Sequence, residues 1–248
     1  MEHDYWDELF DELYLKTYAA LDRGGPQEEE ALAAARLAGC EPSADILDAP
    51  CGYGRHTIPL AQAGYHVVGV DRSTVLLEEA RRRAGEGEWP RWVHGDHREL
   101  PLEDDSFDAV LCLFSSLGYR GEDGDALTLS EFRRVLRPGS RLVVETMHRD
   151  RLMHILQPRG WDPLPNGGTL VEERRFDYVE GMSETDHTLL RADGTRQSVT
   201  WRIRTYTATE LGKLIEAADF TDLRYFGDLE GAELSRETRL VILARRPE

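Results

Sequence analysis

Three aspartates in the first half of the chain have the positions and spacing of a ligand site. Asp48, Asp71 and Asp96 each end or follow a short apolar segment, and Asp71 comes 19 residues after Gly52. A carboxylate at this distance from a glycine turn can accept both hydroxyls of a ribose. The next carboxylate can accept the exocyclic amine of adenine. Together, the three acids predict a nucleoside site.

The turn itself is CGYGR, residues 51–55, between an apolar strand and a predicted helix. Gly52 and Gly54 let backbone N–H groups approach a ligand closely, and the helix presents its positive end there. An ordinary strand-to-helix turn has the same local sequence. The turn becomes informative because Asp71 and Asp96 follow in register, at strand ends where doubly wound sheets bind ligands.

Short apolar strands alternate with helical segments over this part of the chain, which predicts βαβ units and a parallel sheet. The predicted strands cover residues 44–49, 66–71, 91–95, 107–114 and 141–145. The predicted helices cover residues 28–39, 56–63, 74–84 and 127–136.

The pattern changes after residue 150. Runs over 169–178, 184–191 and 196–206 alternate in polarity and are separated by turn residues, which predicts a small three-stranded antiparallel insert. In the third run Val199, Trp201 and Ile203 share one face. A helix from a Thr207 capping box to about Ala218 follows, then strands over 222–227 and 239–245.

These patterns divide the chain into three parts. Residues 1–40 form an N-terminal helical cap, in which a helix over 5–20 carries several aromatics. Residues 41–149 and 207–248 form the ligand-binding domain. Residues 150–206 form the antiparallel insert, which we expect to be a substrate lid.

Composition excludes several classes of partner. The chain has 248 residues and a net charge of −17, which disfavours binding to nucleic acid and to anionic membranes. The longest stretch without Asp, Glu, Lys or Arg, residues 56–70, is too short and too polar to span a bilayer. The first residues lack the basic, apolar pattern of a secretory signal, so we expect a cytoplasmic protein. The 3 cysteines lack metal-ligand spacing, and no metal site is expected.

Four ordered segments resemble a known family, the class I S-adenosylmethionine-dependent methyltransferases. They are LDAPCGYGRHTIPLA, HVVGVDRS, HGDHRELPLEDDSFDAVLCLFSSLGY and VLRPGSRLVVET. The resemblance covers residues 44–147 and extends to 207–246. It implies an α/β fold with a doubly wound, mostly parallel, seven-stranded Rossmann-like sheet and an antiparallel last strand. It also implies S-adenosyl-L-methionine as cofactor and S-adenosyl-L-homocysteine as product.

The resemblance also implies roles for residues that match the family motifs. Asp48 would hold the methionine ammonium indirectly, and the Ala49 carbonyl would accept from it. Asp71 would bind the ribose. The other residues implied or predicted to contact the cofactor are Gly52, Gly54, Arg72, Asp96, His97, Leu113, Tyr14 and Tyr18.

The implied reaction makes few demands on side chains. A nucleophile attacks the sulfonium methyl in line, so alignment and desolvation supply much of the rate. A base is needed only if the nucleophile carries a proton. His148 and Tyr119, near the ends of the fifth and fourth strands, are the candidate catalytic residues.

Other functions remain open at this stage. The glycine turn also suits an NAD(P)-dependent oxidoreductase, but Arg-His-Thr follows Gly54 where the dinucleotide fingerprint needs another glycine. A non-catalytic module that only binds S-adenosylmethionine is a third interpretation. The favoured interpretation is methyl transfer to the N or O nucleophile of a small molecule by a monomer or homodimer, with a protein substrate as an alternative.

Overall fold

A seven-stranded sheet forms the centre of the protein. The computed structural model describes residues 9–21, 27–165 and 167–248. The strands lie in the order β10-β11-β5-β4-β1-β2-β3, and β11 runs antiparallel to both of its neighbours. The strands are β1 Asp45–Asp48, β2 His66–Asp71, β3 Arg91–His94, β4 Phe107–Cys112, β5 Leu136–Thr146, β10 Thr221–Phe226 and β11 Leu240–Arg245. The predicted doubly wound α/β fold is confirmed.

Helices cover both faces of this sheet because its central strands are apolar on both sides. Ile46 and Leu47, neighbours in β1, are both fully buried, on opposite faces. The described helices are α1 Glu12–Lys16, α2 Tyr18–Leu21, α3 Gln27–Ala38, α4 Thr57–Gln62, α5 Thr74–Ala84, α6 Gly121–Val135, α7 Arg149–Ile155 and α8 Ala208–Ala217. One core contains residues of α6 and α8, and the other contains alanines of α3 and Leu60 of α4.

Local signals fix several helix ends. The Ser73 side chain accepts from the Leu76 N–H at 3.2 Å and begins α5. Thr207 and Glu210 form the predicted capping box of α8. Gly39, with φ of +74°, follows the end of α3 as expected of a left-handed terminator.

The insert is a second, four-stranded antiparallel sheet in the order β6-β7-β8-β9. Its strands are β6 Arg159–Pro163, β7 Thr169–Asp177, β8 Met182–Leu190 and β9 Arg196–Arg204. At one end of its inner face, Leu170, Leu189 and Val199 pack against Leu9 and Leu13 of the N-terminal segment. The insert and the N-terminal segment therefore share a small apolar core.

Besides shifts of a few residues at the ends of other elements, four details differ from the sequence-based expectations. The insert has a fourth strand, β6, which is short and broken in pattern by Gly160 and Pro163. Helix α6 begins at Gly121 instead of residue 127, because its first turn is too polar and glycine-rich to show helical periodicity. Helix α7 was not predicted. The predicted helix over 5–20 extends outside the described residues, and its described part is two short helices that meet at Thr17.

A membrane span requires a helix that is both long and apolar. Within residues 9–21, 27–165 and 167–248, none has both the length and the apolar character needed to cross a bilayer.

The loop after β4 is tied to the base of the insert at Gly118. Its N–H donates to Asp125 Oδ1 at 2.9 Å, and its carbonyl accepts from the Arg204 N–H at 2.8 Å. Gly118 has φ of +99°, and a Cβ there would lie 2.1 Å from the Arg204 carbonyl oxygen. Gly64 has a similar φ of +94°, but a Cβ there would meet no atom within 4 Å.

We expect Gly118→Ala to destabilise the fold far more than Gly64→Ala. Both substitutions place alanine in left-handed backbone, which costs about 1–2 kcal/mol. Only Gly118→Ala adds a clash with backbone, for about 2 kcal/mol more. Urea unfolding of the two variants measures the difference. Equal losses would mean that Arg204 moves away without cost and that this junction is not rigid.

Candidate functional site

A cavity of about 540 Å³ lies at the carboxyl ends of the parallel strands, between the two sheets. Its floor consists of the loops that follow β1 to β5. Its walls come from the N-terminal segment and from the inner face of the insert. The floor residues include Cys51, Gly52, Tyr53, Asp71, Arg72, Ser73, His97, Leu113, Phe114, Ser115, Ser116, Tyr119 and Met147.

Asp71 joins two of these loops and faces the cavity. Its Oδ2 accepts from the Gly52 N–H at 2.7 Å, and its Oδ1 accepts from the Ser73 N–H at 2.8 Å. Burial raises the pKa of Asp71 to about 6, although these hydrogen bonds oppose the shift. An ionised carboxylate has about four acceptor positions. The acceptor capacity that the backbone leaves unused is available to a ligand hydroxyl in the cavity.

Asp96 and His97 are placed differently from each other. Asp96 binds the backbone N–H and the guanidinium of Arg98, and it does not line the cavity. Burial alone would raise the pKa of Asp96, but the hydrogen bonds from Arg98 outweigh burial and lower it. His97 lines the cavity, and burial lowers its pKa to about 4. The His97 ring is therefore neutral near pH 7 and presents one donor and one acceptor.

Three predicted residues lie behind the glycine loop instead of in the cavity wall. Asp48 is 1% exposed and accepts from the Thr57 hydroxyl at 2.5 Å, which fixes the start of α4. Ala49 is fully buried. At Gly54 a Cβ would lie 2.7 Å from the Trp92 ring, so glycine is required there by packing. Gly52, by contrast, lines the cavity, and a Cβ there would meet no protein atom within 4 Å.

The N-terminal aromatics form one wall of the cavity. The Phe10 ring lies edge-on to Tyr119 at 5.1 Å, and the Tyr14 ring lies 6.3 Å from Tyr53. Burial raises the pKa of the Tyr14 phenol, so it stays protonated. The Tyr18 hydroxyl donates to Glu172 of β7 at 2.7 Å. The wall is therefore bonded directly to the insert.

Only one of the two candidate catalytic residues, Tyr119 and His148, lies at the cavity. Tyr119 lines the cavity. His148 is 4% exposed and does not line it; its Nε2 lies 3.5 Å from Asp150, and its backbone pairs with Tyr206. The neighbouring Met147 faces the cavity in its place. The structure does not bring His148 to the candidate site.

The Phe114-Ser115 turn forms part of the cavity floor. Both residues have left-handed backbone, with φ of +59° and +62°. Glu145 Oε2 accepts from the Phe114 N–H at 2.7 Å, and Arg239 pairs with Glu145 and donates to Ser115 Oγ at 2.8 Å. Burial lowers the pKa of Arg239 to about 10, yet it stays charged at neutral pH. This ion pair keeps a strained turn in place.

The insert contributes polar residues that the sequence had not indicated. Glu172 and Thr185 are each 1% exposed and line the cavity, together with Ser183. Thr185 lies directly opposite Trp201 in the strand register. Alternation alone places Trp201 on the inner face, but the register that brings Thr185 opposite it depends on the 191–195 turn. The register that places Glu172 opposite His187 depends on the 178–181 turn.

Metal binding is not supported by the part of the chain that the structure describes. No group of three or more His, Cys, Asp or Glu side chains there is arranged to hold an ion.

Asp125 supports the site from below. Its Oδ1 accepts from the Gly118 N–H, and its Oδ2 accepts from the Tyr206 hydroxyl at 2.6 Å. It is 2% exposed, and burial raises its pKa to about 6. One carboxylate therefore joins the loop that carries Tyr119 to the end of the insert.

Comparison with known proteins finds a match for the segment that forms most of the cavity floor. Residues 46–139 match a family described as a methyltransferase domain. A demethylmenaquinone methyltransferase from Clavibacter sepedonicus is 42% identical over 99 residues, which are 40% of this chain and 39% of that protein. The chain thus spans about two fifths of the length of this curated relative.

Solved structures match over the whole chain. The CcbJ methyltransferase from Streptomyces caelestis has a TM-score of 0.82 and 22% identity, with full coverage of both chains. An amino pentose methyltransferase from Micromonospora echinaspora, solved with S-adenosylmethionine bound and involved in calicheamicin biosynthesis, has a TM-score of 0.71 and 25% identity over 94% of this chain and 96% of its own. The first match supports the fold, including the insert.

We expect Asp125→Asn to change how stability depends on pH. The pKa of Asp125 is about 6 in the folded chain and about 3.9 when unfolded. Between about pH 4 and pH 6 the folded chain binds more protons, so this group's contribution to the unfolding free energy falls as pH rises. From about pH 4.5 to pH 7 the unfolding free energy of the variant should therefore fall by about 2 kcal/mol less than that of wild type.

Urea unfolding of wild type and variant at both pH values tests this expectation. Asp71 has a similarly raised pKa and remains in both proteins, so the difference between them isolates Asp125. Equal pH dependence in the two proteins would contradict the assignment.

Proposed function

We infer from its membership in the class I S-adenosylmethionine-dependent methyltransferases, seen over residues 46–139, that this chain transfers a methyl group to a small-molecule nucleophile. The observation that carries this proposal is a cavity with two differently built halves. One half is formed by the loops after β1, β2 and β3 and contains Asp71. The other half is formed by the insert and the loop after β4.

The first half fits S-adenosylmethionine. Asp71 faces the cavity and can accept from a ribose hydroxyl, and His97 can bond adenine through its neutral ring or its backbone. The open space at Gly52, where a side chain would intrude, is left to the cofactor. For Asp96 we favour an indirect role, since its bonds to Arg98 fix the turn that carries His97. Asp48 and Ala49 would act by shaping the glycine loop.

When bound, the cofactor supplies an electrophilic methyl group on a sulfonium. The residues of this chain then align the acceptor and exclude water. Tyr14 and Tyr18 bring aromatic surface to the cavity, and aromatic faces attract desolvated cations. Tyr119 and Glu172 can accept a hydrogen bond or a proton from an acceptor group. His148 has no place in this proposal because it lies outside the cavity wall.

We favour nitrogen as the acceptor atom. The demethylmenaquinone relative matches over 99 residues only and does not cover most of the chain. The amino pentose methyltransferase matches over 94% of the chain, insert included, at 25% identity. The insert forms the acceptor half of the cavity. The match to the amino pentose methyltransferase therefore says more about the acceptor than the match to the demethylmenaquinone relative does.

A non-catalytic binding module is less well supported. Such a module would be expected to have a blocked acceptor half, whereas the cavity here continues from Asp71 to Thr185 and Trp201. An oxidoreductase would need room for a pyrophosphate and a third glycine in the turn, and this chain has Ile58 packed against Gly54.

A screen for S-adenosylhomocysteine production tests the proposed activity. The purified chain is incubated with S-adenosylmethionine and sets of small amines, phenols and quinols, and product is measured by mass spectrometry. Amine-dependent product supports the proposal. Product with quinols only would contradict nitrogen as the acceptor atom. Stabilisation by NAD(H) and none by S-adenosylmethionine would overturn the proposal.

We expect Asp71→Ala to weaken S-adenosylhomocysteine binding by about 10- to 150-fold, because a charge-assisted hydrogen-bond acceptor is lost. Asp96→Ala is the matched control. Its carboxylate is bonded to Arg98 outside the cavity wall, so the loss should be several-fold smaller. Calorimetry on both variants decides, and equal affinities for wild type and Asp71→Ala would remove Asp71 from the site.

We expect the N-terminal segment and the insert to close together over the ligands. The Tyr18–Glu172 hydrogen bond joins the two elements across the cavity. Binding of S-adenosylhomocysteine should therefore slow amide hydrogen exchange in residues 12–18 and 170–174 as well as in the loops after β1 and β2. Protection confined to those two loops would show that neither element acts as a lid.

A further inference from the structure

The inner face of the insert holds a set of polar groups that the fold itself does not use. The side chains of Ser183 and Thr185 are 5% and 1% exposed and line the cavity. Neither hydroxyl has a hydrogen-bond partner among the described residues. The indole Nε1 of Trp201 also has none, although it is buried. The two hydroxyls open into the cavity and are available to a ligand there, whereas the indole nitrogen is enclosed by protein.

The strand register places these groups side by side. Thr185 of β8 is directly opposite Trp201 of β9, and Ser183 is directly opposite Ile203. Directly opposed residues have their Cβ atoms about 4.5–5.5 Å apart on one face. The result is a short polar row, Ser183 and Thr185, beside an apolar wall made by Trp201 and Ile203.

The wall is held in position by aromatic packing. The Trp201 ring lies 6.0 Å from Tyr119, and Tyr119 in turn lies 5.1 Å from Phe10. A positioned ring next to hydroxyl donors suits a ligand that is apolar on one side and carries oxygen on its edge. A flat hydrocarbon would exclude water from the two hydroxyls and leave them unpaired.

We propose that Ser183, Thr185 and Trp201 form a subsite for an oxygen-substituted saturated ring, the part of the acceptor molecule next to the methylated atom. The C–H face of such a ring packs against Trp201 and Ile203. Its hydroxyl or ether oxygens bond the side-chain hydroxyls of Ser183 and Thr185. This subsite rests on the proposed function for its place beside the methyl group, but its chemistry follows from the insert alone.

The substitution that tests the subsite most cleanly is Thr185→Val, which removes the hydroxyl and keeps the shape. The matched control is Thr188→Val, on the exposed outer face of the same strand. Ser183→Ala and Trp201→Phe test the remaining groups, with Trp161→Phe as the control for the indole, because Trp161 is 73% exposed on the outer face.

The probes are methyl aminodeoxypyranosides with the amine at each ring position, and cyclohexylamine as the ring without oxygens. Binding to the S-adenosylhomocysteine complex is measured by calorimetry. We expect at least one pyranoside to bind wild type about tenfold more tightly than cyclohexylamine. Thr185→Val should weaken that pyranoside by about 3- to 10-fold and leave cyclohexylamine unchanged. Trp201→Phe should weaken both probes, because both pack a C–H face against this ring.

Three results would overturn the subsite: no pyranoside preferred over cyclohexylamine, an equal loss for Thr188→Val, or an unchanged preference in Thr185→Val. If Trp201→Phe does not fold, Thr185→Val still decides. Failure of the proposed methyl transfer is a separate outcome. It would appear as the absence of S-adenosylhomocysteine production from every acceptor, while the binding preference and its loss in Thr185→Val could still be measured.

Discussion

Buried carboxylates that accept backbone N–H groups hold the cavity together. Asp71 accepts from Gly52 and Ser73, Asp125 from Gly118, and Glu145 from Phe114. Each acid belongs to a strand or helix, and each donor belongs to a loop at the carboxyl edge of the sheet. Because a buried charge is costly unless it is bonded, these loops cannot move without breaking a strong interaction. The rigid sheet is in this way extended into the irregular segments that face the ligands.

Side chains in the strands of the insert alternate between an inner and an outer face, which explains how one small sheet serves three purposes. One end of its inner face is apolar and packs against Leu9 and Leu13, so the sheet is anchored to the N-terminal segment. The middle of the same face carries Glu172, Ser183 and Thr185 and faces the cavity. On the outer face the charges pair with each other, as Arg175 and Arg202 do with Glu184. Anchoring, ligand contact and solvation are thus divided by strand position.

The ligand-binding domain was predictable from sequence because its signals are local. Apolar strands, the Ser73 cap and the Thr207-Glu210 box each depend on a few neighbouring residues, and β2 and α5 have the predicted bounds. The cavity residues at strand ends, such as Asp71 and His97, follow from the same logic. Residues whose position depends on tertiary packing were missed or misplaced. Arg239 reaches Ser115 across the sheet, and His148 is turned away because Met147 occupies the cavity face at the end of β5.

The two ends of the insert meet in one place. The backbone of His148 pairs with Tyr206, and the Arg149 N–H donates to the Tyr206 carbonyl at 2.9 Å. The chain leaves the sheet and returns to it at this junction, and the segment between also bonds Gly118 and packs on Leu9 and Leu13. Such a segment can be exchanged together with those partner residues, while the loops after β1, β2 and β3 stay as they are. The same junction offers a recombination point at which the acceptor half could be transplanted between proteins of this fold.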